Sequence, residues 1–143
     1  MTAYYKGLVF KTKLVAQWAA FFDLAKWNWW PNPKSVGDWQ PDFLVTFPCG
    51  HSECSGKHTL LISVLSVSNL NEVKGHPCFD HHWQVVDETG NWLADAGALF
   101  GNNPAVTTWE MGHGSGGGVE QVEDWVPEYN AQELWIKAKE LIS

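Results

Sequence analysis

Apolar residues recur at helical spacing near the start of the chain. Leu14, Trp18, Phe21 and Ala25 fall at i, i+4, i+7 and i+11, and Val15, Ala19 and Phe22 widen the same face. Thr12 stands in front as an N-cap, so the spacing predicts a core helix from Lys13 to Ala25. The pattern then changes to short apolar runs. Trp27-Asn28-Trp29-Trp30 reads as a strand ended by Pro31-Asn32-Pro33, and Phe43 to Phe47 as a second ended by Pro48, because proline cannot donate to a sheet ladder. Thr59 to Val67 is apolar on both faces, as expected of a central strand covered by helices.

Further along, Ser68 to Gly75 reads as one short helix capped by Ser68 or Asn69, with Gly75 and Pro77 ending it. Trp83 to Asp87 and Asn91 to Ala96 are expected to pair through Glu88-Thr89-Gly90, and a further strand is expected at Val106 to Met111. Gly112 to Gly118 is expected to be a flexible glycine-rich loop. Asn130, with Glu133 three residues on, predicts a capping-box start to a closing helix that carries Leu134, Ile136, Ala138 and Leu141. The fold class these elements imply is mixed α/β (α+β), a mixed central sheet flanked by helices. At 143 residues without internal repeat or linker, residues 1–143 are expected to form one domain.

Composition narrows the function. The net charge of −7 is unevenly spread: residues 1–80 hold seven lysines against six acids, and residues 81–143 two lysines against ten. There is no arginine, which argues against a nucleic-acid reader, since such proteins meet phosphate and guanine with basic, often bidentate, side chains. Ten tryptophans are far more than a core this size needs, so some are expected at the surface, available to a partner. No run of 18 apolar residues occurs and the N-terminus lacks the apolar stretch of a signal peptide, so a cytoplasmic location and no membrane span are expected.

Several clusters carry candidate chemistry. Cys49, His51, Cys54 and His58 place four zinc-type ligands within ten residues, a pattern that suits a structural tetrahedral site. His76, Cys78, His81 and His82 form a second cluster, one member of which could complete the first site. Pro41-Asp42 heads a strand, and Glu72-Val73-Lys74 supplies a carboxylate and an amine 30 residues later. Asp87, Asp95, Glu110 and His113 are further possible ligands. The loop around His113 lacks the Gly-Lys-Ser/Thr ending of a phosphate-binding loop and runs into Glu120, Glu123 and Asp124, which would repel phosphate.

Taken together, Tyr5, Gly7, Phe10, Leu14, Ala16, Trp18, Ala19, Phe21, Phe22 and Asp23, followed by Trp27 to Trp30 and Pro41-Asp42-Phe43, resemble the opening of small PD-(D/E)XK nuclease-like proteins of phages and other mobile elements. The resemblance covers about the first 70 residues. It implies a restriction-endonuclease-like core in which Asp42 is the metal-binding aspartate and the next strand offers Glu-x-Lys. Here that strand has Ser63 and Leu65 at those places, and Val15 stands where the family's helix glutamate would be. Two carboxylates and a lysine are what metal-assisted phosphodiester cleavage requires.

Two functions follow. In the first, the chain is a catalytically degenerate nuclease fold that binds a protein partner, with a host defence nuclease complex as the target the mobile-element resemblance implies. Glu120, Glu123 and Asp124 would form part of the contact surface. In the alternative, it is a magnesium- or manganese-dependent DNA endonuclease using Asp42, Glu72 and Lys74.

Overall fold

Thr12 does open a helix. In the computed structural model, which describes residues 2–49, 56–113, 116–126 and 130–142, its Oγ1 accepts the Val15 N–H at 3.2 Å. Helix α1 (Lys13–Leu24) follows an antiparallel hairpin of β1 (Ala3–Tyr5) and β2 (Leu8–Phe10). It ends where Lys26 adopts a left-handed φ of 64°. The Lys26 N–H then bonds Asp23 O at 3.1 Å and the Trp27 N–H bonds Phe22 O at 2.8 Å, the paired bonds of a Schellman cap.

The chain then builds a six-stranded mixed sheet from β3 (Asn28–Pro31), β4 (Phe43–Pro48), β5 (Lys57–Val64), β8 (Ala96–Phe100), β9 (Thr107–His113) and β10 (Gly116–Glu120). Their spatial order is β10-β9-β8-β5-β4-β3; β5 and β8 run parallel and every other neighbour antiparallel. Between β5 and β8 the chain makes two short 3₁₀ turns, Leu70–Val73 and Pro77–Asp80, and a small ribbon of β6 (Val85–Val86) and β7 (Trp92–Ala94). Helix α2 (Ala131–Leu141) packs against α1, where Gln17 Nε2 donates to Trp135 O at 3.0 Å.

Alternation along the strands sorts the interior into two cores. Phe43, Val45, Phe47, Leu60, Ile62 and Val64 face α1 and α2, where Trp18 lies 4.4 Å from the Trp135 ring and 4.7 Å from Phe100. Leu61 and Leu99 face the other way, onto Trp39, Cys78, Val85 and Ala94. β5 is buried along almost its whole length, as its unbroken apolar run requires.

The expected elements differ from these at identifiable places. The central strand stops at Val64: on the β4 side the Val64 N–H is taken by the Asp42 carboxylate, and on the β8 side the Leu65 N–H to Phe100 O bond is the last of the ladder. The expected strand Asn91 to Ala96 is divided at Asp95, whose N–H bonds Thr59 O at 2.8 Å and whose carboxylate accepts the Thr59 N–H at 2.7 Å. Gly112 to Gly118 is not a loop throughout, since Gly116 to Gly118 belong to β10, paired with His113, Gly112 and Met111. Asn130 does precede α2, but its side chain makes no capping bond.

Candidate functional site

Asp42 is fixed on every side. Its N–H donates to Ile62 O at 2.7 Å and its carbonyl accepts the Asn32 N–H at 2.9 Å, which seats it at the mouth of β4 between β3 and β5. The carboxylate is only 11% exposed; Oδ2 accepts the Val64 N–H at 2.7 Å and Oδ1 lies 2.7 Å from Lys11 Nζ. Both oxygens therefore hold a positive or donor group supplied by the chain. Lys11 reaches in from the end of β2, with most of its side chain in water.

Around this carboxylate is a pocket of about 210 Å³ lined by Val9, Phe10, Lys11, Val15, Pro31, Asn32 and Asp42. Val15 and Asp42, the two positions singled out in the sequence, thus line the same pocket. Val15 brings methyl groups to that wall. Phe43 pairs with Ile62, and the Asp42 N–H bonds the same Ile62 carbonyl, so both residues stand against Ile62. Ser63 is 3% exposed and its Oγ accepts the Trp39 Nε1–H at 2.7 Å, while Leu65 packs into the second core.

Glu72 and Lys74 are exposed on and just after the Leu70–Val73 turn. Glu72 closes a capping box: its carboxylate accepts the Asn69 N–H at 3.2 Å while Asn69 Oδ1 accepts the Asn71 N–H at 2.8 Å. The segment does pass within electrostatic reach of the pocket. Burial lowers the His76 pKa from 6.5 while the Asp42 charge works in the opposite direction. His76 Nδ1 accepts the Cys78 N–H at 3.1 Å. Among the described residues no three His, Cys, Asp or Glu side chains gather into a metal-holding group.

Of the four zinc-type residues, His51 and Cys54 lie outside the described residues. Cys49 and His58 stand at the two sides of the β4–β5 hairpin, where Phe47 pairs with His58 and the Cys49 N–H bonds Gly56 O at 2.9 Å. The His58 imidazole is 5% exposed, 5.3 Å from the Trp125 ring, and its Nδ1 is 3.4 Å from Asp95 Oδ2. At 3.4 Å this is a carboxylate contact and not an orienting hydrogen bond, and it joins residues 37 positions apart, so no local pattern carries it.

The remaining candidates are dispersed among other partners. Asp87 accepts from Thr89 and Asn91 in an exposed turn, and these bonds hold its carboxyl down at about 2. Glu110 pairs with His82 at 2.7 Å, and His81 stacks on Trp39 with ring centroids 5.1 Å apart. The side chain of His113 lies outside the described ones. Glu120 ends β10, and Glu123 and Asp124 sit on the 3₁₀ turn Val122–Trp125, anchored by buried Val122, whose N–H donates to Thr107 Oγ1 at 3.1 Å. Trp30, Trp83 and Trp92 are the tryptophans more than half exposed. No family model matches the chain, and neither a curated protein nor a solved structure matches it.

Proposed function

We propose that this chain is a nuclease-like fold without metal chemistry at its Asp42 pocket, and that it acts by binding a basic protein partner. One observation supports this most: the Lys11 ammonium bonds the carboxylate oxygen that a divalent cation would need, 2.7 Å away. A magnesium or manganese ion at Asp42 would have to displace both that ammonium and the Val64 amide, with valine and no second carboxylate on the pocket wall. The partner's character follows from charge. Residues 75–136 contain ten acids and no lysine, so the half of the chain that forms β6 to β10 is suited to a positively charged surface. The resemblance to phage nuclease-like proteins suggests a host defence nuclease complex, whose nucleic-acid groove is of that kind.

The test is hydrolysis of single- and double-stranded DNA with magnesium or manganese by wild type beside Asp42→Asn and Lys74→Ala. The expected result is no cleavage by any of the three. Cleavage by wild type that both substitutions abolish would establish the endonuclease that uses Asp42, Glu72 and Lys74.

Zinc at the β4–β5 hairpin is a second, structural element of the proposal, supported by Cys49 and His58 standing at the two sides of that hairpin. Purified protein is expected to carry about one equivalent of zinc by elemental analysis and to lose it in the Cys49→Ser, Cys54→Ser double variant. Metal-free wild type of undiminished stability would remove zinc from the account.

A further inference from the structure

The sheet has two edges, and they are unlike. β3 is four residues long and ends in Pro31, which has no N–H to offer a further strand. β10 is five residues of sequence Gly-Gly-Gly-Val-Glu, and among the described residues it pairs with β9 alone. Natural edge strands are commonly guarded by lysine, proline or a bulge. β10 has none of these: its register with β9 is unbroken from Gly116 to Glu120. Its faces are uncrowded too, for a methyl group added at Gly118 would meet nothing within 4 Å and Val119 is 66% exposed.

Charge selects the occupant. β10 leads straight into Glu123 and Asp124, within the 62-residue stretch that has no lysine or arginine. A second copy of the chain carries the same net charge of −7, so edge-to-edge pairing would bring two acidic molecules together. A lysine- or arginine-rich segment would be attracted to them, and main-chain bonding along a strand edge demands little of its sequence.

We infer that β10 is a docking edge on which an extended basic segment of a partner protein adds as a seventh strand. This rests on the binding function proposed above and specifies how the partner is held. The glycines then have a purpose that the expected flexible loop did not: without side chains on the faces of β10, the side chains of an incoming strand meet no steric hindrance from it.

The probe is a synthetic peptide of alternating lysine and valine, compared with the same peptide N-methylated at consecutive residues, which keeps the charge and blocks both hydrogen-bonding edges of the strand. The unmethylated peptide is expected to bind, to slow hydrogen exchange at 116–120, and to bind about tenfold more weakly when methylated or when the protein carries Val119→Lys. Equal binding of both peptides, weakened by reversal of Glu123 and Asp124, would overturn strand addition and leave the acidic binding surface standing. Binding of neither peptide would overturn the inference. Peptide-independent self-association that slows exchange at 116–120 and that Val119→Lys abolishes would assign the edge to a second copy. Failure of the underlying binding function is read separately, as metal-dependent DNA cleavage.

Discussion

Asp42 looks catalytic in sequence, and in the fold both of its carboxylate oxygens are bonded by groups of the chain itself. A residue kept for chemistry is commonly strained or poorly satisfied, and replacing it commonly leaves stability unchanged or raises it. Asp42 instead accepts a backbone N–H that ends β5 and pairs with a lysine that ties down β2. Asp42→Asn keeps an oxygen for Val64 and loses the ion pair, so it is expected to cost about 1 kcal/mol. Asp42→Ala leaves the Val64 amide without its partner and is expected to cost about 2–3 kcal/mol. Urea denaturation of both variants checks the order; two substitutions that stabilise would mark the residue as functional.

At the level of elements, Asp23 joins three pieces of the fold. From the last turn of α1 it accepts Tyr5 Oη at 2.5 Å and Trp29 Nε1 at 2.9 Å and pairs with Lys6 Nζ at 2.9 Å, so the β1–β2 hairpin, α1 and β3 meet on one carboxylate. Burial pushes its pKa up, but the bonds from Tyr5, Lys6 and Trp29 outweigh it and hold the group below the ordinary 3.8. A carboxyl depressed in the folded state stabilises above its unfolded pKa, and that contribution is lost as pH falls through the folded value. Asp23→Asn is therefore expected to cost about 1–3 kcal/mol near neutral pH. The gap to wild type should narrow below about pH 4, measured by denaturation across pH. A gap that stays constant with pH would contradict the assignment.

Elements with strong local signals were legible in the sequence. The helix expected over Lys13 to Ala25 is α1, its Thr12 cap included, and the strands expected around Trp27 to Trp30 and Phe43 to Phe47 are β3 and β4. The apolar run at Thr59 is β5, ending earlier than its hydrophobicity suggests where the Asp42 carboxylate takes the Val64 amide from the β4 ladder. β8 was hidden by its composition: Ala-Gly-Ala-Leu-Phe is weak strand sequence. Its Gly97 is set by tertiary crowding, since a methyl group there would lie 2.8 Å from Cys78 O and 3.0 Å from the Trp39 ring. β10 was hidden in the same way, because glycine is a poor strand former and the strand emerges through its pairing with β9. At the Asp42 pocket, the Pro-Asp pair was visible; the Lys11 contact and the position of Asp95 beside His58 depend on long-range pairing that no local pattern carries.

For the whole molecule, the sheet separates two chemistries. Its β3 end carries the Asp42 pocket, closed by the chain's own ammonium and amide groups. The other end carries β10 and the acidic turn beyond it. The central claim is that the pocket is occupied by Lys11 and not by a catalytic cation. Its most direct test is manganese titration of isotope-labelled protein, following paramagnetic broadening of the Val64 and Asn32 amides, which bond the Asp42 carboxylate and carbonyl. The account predicts no selective broadening of these two signals in wild type. Selective broadening at low manganese concentration that Asp42→Asn removes would contradict it.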